Sequence, residues 1–272
     1  MSPLDWAILV LYLVGVLVFG LWTSGRQESV GEYFLGNRDL PWWAVCFSVV
    51  ATETSTLTVI GLPAVSYLGT LEFFQITLGY LLGRILVSVI LLNRYFEGQL
   101  ATAYAFLGNR FGARMRGLAS VTFLGTRLLA DGVRLFATAI PLKVVAASAG
   151  LELGYPTIIA VIGLATIAYT YAGGIKAVVW VDVVQMIVYI VGGGIVLAVL
   201  LAQVPGGWWG EAAAAGKTAV FSLGTDLSFA RWLTEPYTFV PAVVGGAAMT
   251  MASHGTDQLI VQRLLTTRSL RD

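Results

Sequence analysis

The chain has 272 residues, of which 57% are hydrophobic and only 11% are charged. Soluble domains carry about 25% charged residues, so this composition excludes a soluble globular protein and predicts an all-α polytopic membrane protein. The formal net charge of +1 comes without a basic run, which argues against a nucleic-acid partner. The single cysteine, Cys46, excludes an internal disulfide and a thiolate metal cluster.

Seven apolar stretches are each near the roughly 20 residues that a helix needs to cross a bilayer. They cover residues 5–23, 42–69, 71–95, 118–147, 155–172, 177–204 and 238–261. Gly173 and Gly174 separate the fifth stretch from the sixth. No soluble domain is predicted between them, so residues 1–272 are expected to form a single transmembrane domain.

Lysine and arginine residues predict the orientation, because cytoplasmic connectors are enriched in them. With the spans above, the connectors on one side hold ten basic residues, which are Arg26, Arg38, Arg94, Arg110, Arg114, Arg116, Lys176, Arg263, Arg268 and Arg271. The connectors on the other side hold Lys143, Lys217 and Arg231. The N-terminus is therefore predicted to lie outside a plasma or inner membrane, and the C-terminal end of this chain in the cytoplasm.

The second span is polar and β-branched at its centre, where residues 51–58 read A-T-E-T-S-T-L-T. A helix broken at mid-depth in a membrane exposes backbone carbonyls that can coordinate a small cation. This pattern predicts a broken helix that holds an ion and contacts a substrate. The alternative is a continuous helix whose Thr and Ser side chains bond to their own backbone carbonyls.

The seventh span is also interrupted by small and polar residues, in the segment V-V-G-G-A-A-M-T-M-A-S-H-G-T-D-Q, residues 243–258. Paired interruptions at corresponding positions of two halves are typical of transporters built from inverted repeats, which bind their substrates at those interruptions. The pair therefore predicts a transporter site between spans two and seven.

Four segments resemble the sodium:solute symporter family. They are E-Y-F-L-G-N-R-D-L-P-W-W at residues 32–43, T-A-Y-A-F-L-G-N-R-F-G at 102–112, Y-T-Y-A-G-G-I-K-A-V-V-W-V-D-V-V-Q at 169–185 and D-Q-L-I-V-Q-R at 257–263. The resemblance implies the leucine-transporter type of fold. One extra helix would cover residues 5–23, the first five-helix repeat residues 41–204, and the first helix of the second inverted repeat residues 238–262.

The resemblance implies a secondary active transporter that couples sodium to the symport of a small organic solute by alternating access. Family members are about twice as long, so the chain is expected to be an N-terminal half. Two alternatives stay open: a transporter-like membrane sensor, and a proton-coupled carrier that uses Glu53.

The sequence shows no catalytic constellation, so no enzyme is predicted. The expected partners are the solute, sodium and the lipid bilayer, with no cofactor beyond the coupling ion.

By family position, the backbone carbonyls of Ala51 and Thr54 would bind sodium, and their hydroxyl partners would follow Asp272. Five candidates for solute contacts also follow from the resemblance, namely Thr58, Gln75, Thr250, Ser253 and His254. For His254, a bundle histidine with satisfied hydrogen bonds is the alternative. Asp182 is either a waypoint on the sodium exit path or a carboxylate favoured by a helix N-terminus.

Intramembrane charges form two further candidates. Glu53 could bind a cationic group of the substrate, carry a proton or support a second cation, or it could pair with a basic residue such as Arg84 or Arg134. Arg127, Asp131 and Arg134 share one helical face, which is either a neutral stripe that joins helices or a site for an anionic substrate. Asp257 and Gln258 are expected to cap and anchor the last span. Lys176 is interpreted as a topology charge.

Overall fold

A computed structural model describes residues 3–23, 25, 29–97 and 102–270. These residues form helices joined by turns, without a β-strand. The α-helices are α1 Pro3–Thr23, α2 Val30–Leu35, α3 Trp42–Glu53, α4 Thr56–Leu68, α5 Gln75–Val87, α6 Asn93–Glu97, α7 Ala103–Phe111, α8 Ala113–Ser148, α9 Tyr155–Gln203, α10 Trp208–Ala214, α11 Phe229–Thr234, α12 Phe239–Gly255 and α13 Gln258–Leu264. A 3₁₀ turn Glu72–Phe74 leads into α5, and a π-helical turn Ser88–Leu92 joins α5 to α6, so Glu72–Glu97 forms one longer helix.

Among the described residues, three helices are long and apolar enough to cross a membrane, namely Leu4–Thr23, Glu72–Glu97 and Tyr155–Gln203. The pair α3 and α4, bent by 64° at its break, is a fourth when counted as one span. The predicted span at residues 118–147 falls in α8, which carries Arg127, Asp131, Arg134 and Lys143. The predicted span at 238–261 falls on α12, which has 17 residues. The count of seven spans therefore stays a prediction.

Two of the predicted helix breaks are present. Gly174 has φ 57° and ψ −157°, which interrupts the 49-residue helix α9 between the predicted fifth and sixth spans. A Cβ at this position would lie 2.7 Å from the carbonyl oxygen of Tyr33, so only glycine fits the turn. The second break separates α3 from α4 at Thr54 and Ser55, which confirms the broken helix and makes the continuous alternative wrong.

The chain divides into two units. The first comprises residues 1–59, 107–190 and 262–272, and the second comprises residues 60–106 and 191–261. Arg26 and Arg271, which contributed to the predicted orientation, lie outside the described residues.

In the first unit, hydrogen bonds tie the ends of distant segments together. The Tyr33 hydroxyl donates to the carbonyl of Thr170 at 3.2 Å, and the Gln262 amide donates to the carbonyl of Phe34 at 2.8 Å. Lys176 lies 3.6 Å from Glu32 and 3.8 Å from Asp39, so this predicted topology charge also makes ion pairs. The buried apolar side chains of this unit come mainly from α3, α9 and the segment after α13, and include Val45, Val49, Val179, Val181, Val183 and Leu265.

In the second unit, α5 packs closely on α12 through small residues. A Cβ at Gly79 would lie 2.5 Å from the carbonyl of Val243, and a Cβ at Gly83 would lie 2.6 Å from the carbonyl of Ala247. Gly246 on α12 faces the carbonyl of Ile76 in the same manner. Small residues spaced by four let two helix backbones approach closely where no hydrophobic force drives them together in lipid.

Candidate functional site

The break between α3 and α4 frees two carbonyls. The N–H of Thr54 still donates to Val50 at 2.9 Å, but Thr54 itself is extended, with ψ 111°. In a continuous helix Ser55 N–H would bond to Ala51, and Thr58 N–H would bond to Thr54. Instead, Ser55 N–H donates to the Thr58 hydroxyl at 3.4 Å, and Thr58 N–H donates to the Ser55 carbonyl at 2.9 Å. The Ala51 and Thr54 carbonyls thereby lose their helical donors.

Ala51 and Thr54 also line a cavity of about 520 Å³ inside the first unit. Its lining comes from the break and from α1, α8 and α9, and consists of Tyr12, Ala51, Thr54, Ser55, Thr56, Val59, Thr138, Gln185, Met186 and Tyr189. The hydroxyls of Thr56 and Thr138 lie 3.0 Å apart, which joins the break to α8. Hydroxyl and carbonyl oxygens are ligands that hard cations prefer. The cavity can therefore accommodate a small cation beside a polar solute.

Sequence reasoning did not identify Thr138, Gln185 and Tyr189. For two of them a signal was available, since Gln185 and Tyr189 follow Asp182 at spacings of three and seven, on one face of α9. Thr138 carries no such signal, because α8 and the break are separated by about 80 residues of chain and meet only through folding.

Asp182 forms a buried cluster with Arg263 and Ser48. One carboxylate oxygen accepts from Arg263 Nη2 at 3.1 Å and Nε at 3.3 Å, and from the Ser48 hydroxyl at 2.5 Å. Arg263 Nε also donates to the Ser48 oxygen at 2.8 Å. The cluster joins α3, α9 and α13, and the sequence did not reveal this partnership, although both charged residues stand in the family-like motifs. Whether Asp182 serves sodium exit stays a prediction.

Three of the predicted solute contacts lie at one end of α12 in the second unit. His254 Nε2 lies 3.4 Å from Arg84 Nε, and its Nδ1 lies 3.0 Å from the Ser253 hydroxyl. Thr250 and His254 are buried. The interruption of the seventh span is present, but it falls at Thr256 and Asp257, after these three residues, so they lie in a continuous helix.

Gln75 lies at the other end of the α5–α12 pair. Its amide donates to the Tyr237 carbonyl at 2.7 Å and accepts from the Ser222 N–H at 3.3 Å, so both ends of the amide hold the loop before α12. The nine residues from Gln75 to Arg84 correspond to about 13 Å along a helix. The structure therefore separates Gln75 from His254 and gives Gln75 a structural bond network.

Asp257 and Gln258 make structural bonds, but at α13 and not at α12, on which the predicted last span falls. The Asp257 carboxylate accepts from the N–H of Leu259 at 2.8 Å, in the manner of a helix cap for α13. The Gln258 side chain accepts from the N–H of Ala103 at 2.9 Å, at the first residue of α7.

The charged residues of α8 divide unequally. Arg127 Nε lies 3.1 Å from the Asp131 carboxylate, which neutralises one of the two arginines. Arg134 makes no ion pair with an acidic residue in the described part of the chain, Glu53 and Asp131 included. It is half-buried and lies one turn before Thr138, whose hydroxyl bonds to the Arg134 carbonyl at 2.9 Å. The predicted neutral stripe therefore explains the charge of Arg127, through its pair with Asp131, but does not explain the charge of Arg134.

Comparison with known proteins agrees with this architecture. The sequence profile of the sodium:solute symporter family matches residues 33–271. The sodium-dependent multivitamin transporter of Oryctolagus cuniculus is 29% identical over 98% of this chain and 41% of its own length. The sodium/sialic acid symporter SiaT of Proteus mirabilis is 27% identical over 99% of this chain and 53% of its own length.

A solved structure is also similar. It shows a Na⁺-coupled sialic acid symporter in a substrate-bound, outward-open state with a novel Na⁺ site. It matches with a TM-score of 0.84 at 27% identity and covers 99% of this chain and 55% of its own. The chain thus spans about half the length of the curated relatives that it matches. These relatives are transporters rather than enzymes, and the family profile extends over most of the sequence. The chain therefore belongs to the sodium:solute symporter family.

Proposed function

We propose that this chain is the N-terminal part of a sodium-coupled symporter that carries a small organic solute across a cell membrane by alternating access. The observation that carries the proposal is the break at Thr54 and Ser55, where two carbonyls lose their helical donors beside a cavity lined with hydroxyls. The family membership and the sodium-dependent relatives support the same function.

In this proposal sodium binds to the Ala51 and Thr54 carbonyls. Further oxygen ligands come from a helix after Asp272, as the family resemblance implies, so residues 1–272 alone give no coupled uptake in liposomes. Sodium binding stabilises one of two arrangements, and the solute binds that arrangement better, which couples the two gradients. Thr58, Thr250, Ser253 and His254 remain the proposed solute contacts, together with Glu53, whereas Gln75 is assigned to its bonds with the loop before α12.

Sodium-dependent thermal stability of the full-length protein in detergent tests the ion site. A ligand that binds only the folded state raises the unfolding midpoint with its concentration, so sodium and not potassium should raise it. Thr58→Val removes the hydroxyl that holds Ser55 N–H away from Ala51. Loss of one hydrogen bond of about 1 kcal/mol should raise the sodium concentration needed for half the shift about fivefold.

Thr58→Ser is the matched control, because it keeps the hydroxyl and should keep the sodium response. An equal response of the Val and Ser variants would contradict the role of the break. The absence of any sodium-specific shift, with a pH response that Glu53→Gln abolishes, would replace sodium by proton coupling.

A second observation favours an anionic solute. Among the described residues Arg134 has no acidic partner, it lies one turn from the cavity residue Thr138, and an arginine fork suits a carboxylate. Arg134→Gln should therefore weaken binding of a carboxylate solute at least tenfold and leave the sodium response intact. Arg127→Gln, on the same helix but paired with Asp131, is the control. Equal losses in both variants would assign the effect to packing of α8.

A further inference from the structure

A second cavity of the first unit is almost entirely apolar. It has a volume of about 520 Å³ and lies between α1, the C-terminal end of α8 and the first half of α9. Its walls include Leu13, Leu17, Leu142, Ile158 and Val161. Since α1 and α9 are long and apolar enough to cross a membrane, this cavity suits an apolar occupant better than water.

The cavity extends along α1 from Trp6 to Leu17. Eleven residues of helix correspond to about 17 Å, close to half of a hydrocarbon core about 30 Å thick. Just beyond Leu17 the two helices touch, because a Cβ at Gly20 would lie 3.1 Å from the Cβ of Tyr169. The other end lies near the start of α1, the depth at which tryptophan favours the membrane interface. The cavity thus extends over about half of the thickness of a hydrocarbon core.

Trp6 stands at the interfacial end of this cavity with an unused donor. Its indole N–H is buried and finds no hydrogen-bond acceptor in the part of the chain that the structure describes. A buried donor without a partner is costly, particularly in an apolar medium. A small turn of the ring would direct this N–H to an acceptor located at the mouth of the cavity.

We propose that the cavity holds one acyl chain of a bilayer glycerophospholipid, with its ester carbonyl accepting from the Trp6 indole. The chain fits in length, and the ester supplies the missing acceptor at the right depth. A transmembrane helix suits this position less well, because its backbone carbonyls are bonded within the helix and few are free to accept from the indole.

Lipid retention by the full-length protein tests this proposal. The protein is purified from membranes, washed extensively in detergent and measured intact by mass spectrometry. Val14→Trp fills the cavity, whereas Val18→Trp places the same side chain on an α1 position outside the cavity wall; the two valines are 52% and 57% exposed. Wild type and Val18→Trp should retain one phospholipid, and Val14→Trp should retain at least tenfold less.

A second measurement does not depend on the folding of the Val14 variant. Phosphatidylcholine with brominated acyl chains is added to the delipidated protein, and the Trp6 fluorescence is taken as the difference between wild type and Trp6→Phe. Quenching of this difference signal supports the acyl chain in the cavity. Absence of quenching, or equal lipid retention by the Val14 and Val18 variants, overturns the proposal, as does a cavity covered by another part of the protein or by a second copy.

Discussion

At the scale of single residues, the buried cluster of Asp182, Arg263 and Ser48 has the strongest energetic consequence. Asp182 and Arg263 are both less than 10% exposed, so each charge depends on the other for compensation. Removing one partner of a buried ion pair typically costs about 3–5 kcal/mol, because the other charge stays buried without a counter-charge. The cluster therefore fixes α3, α9 and α13 together in the arrangement seen here.

We predict that Asp182→Asn and Arg263→Gln each lower the stability of the folded protein by about 3–5 kcal/mol. The double variant should lose much less than the sum of the two, because it buries no unpaired charge. Thermal unfolding of the four proteins measures this coupling. Lys176→Gln, which removes a more exposed ion pair, serves as the control and should cost less than about 1 kcal/mol. Strict additivity of the two cluster variants would show that the ion pair has no energetic role.

The sequence predicted single residues unevenly. Ala51 and Thr54 could be located because polar residues at mid-depth of an apolar stretch mark a break, and the break releases carbonyls nearby. The partnership of Asp182 with Arg263 could not be predicted, because the two stand 81 positions apart and only the folded backbone brings them together. The same holds for Thr138 and the break.

At the scale of elements, the helix breaks determine where helices end, and the glycine-rich crossing of α5 and α12 determines how closely these two helices pack. The break at Gly174 followed from a Gly-Gly pair between two apolar stretches, and φ 57° explains why glycine is required. The interruption after α12 was expected earlier in the span. It falls at Thr256 and Asp257 because Asp257 caps α13, whereas Thr250 and Ser253 bond within their own helix.

We predict that Gly83→Ala weakens the α5–α12 crossing, because the added methyl group would lie 2.6 Å from the carbonyl of Ala247. Forcing an extra carbon into such a contact costs about 1–3 kcal/mol. Gly193→Ala in α9 is the matched control, since a Cβ there meets nothing within 4 Å and should leave stability unchanged or slightly raised. Thermal unfolding in detergent compares the two variants, and equal midpoints would contradict the close crossing.

At the scale of the whole molecule, three helices among the described residues, or four with the bent pair, are long and apolar enough to cross a membrane. A count of seven also requires that α9 form two spans separated at Gly174, and that the charged helix α8 and the 17-residue helix α12 each cross, and these crossings stay predictions. Two features are compatible with a crossing by these helices. On α8, Arg127 and Asp131 neutralise each other, and α12 is followed directly by α13, which can extend it.

The seven-span arrangement predicts on which side each connector lies, and this can be measured. The sole cysteine is first replaced by Cys46→Ser, and then Glu211→Cys in α10 and Asn109→Cys in α7 introduce single exposed thiols. With the N-terminus outside, α10 lies in the external connector after the sixth predicted span, and α7 lies in the cytoplasmic connector between the third and fourth. A membrane-impermeant maleimide added to intact cells should therefore label the position 211 variant and leave the position 109 variant unlabelled. After permeabilisation both should react equally, which controls for burial of the thiol. Labelling of both positions from outside would mean that an odd number of the predicted crossings between them is wrong, and α8 and the two halves of α9 would then need reassignment.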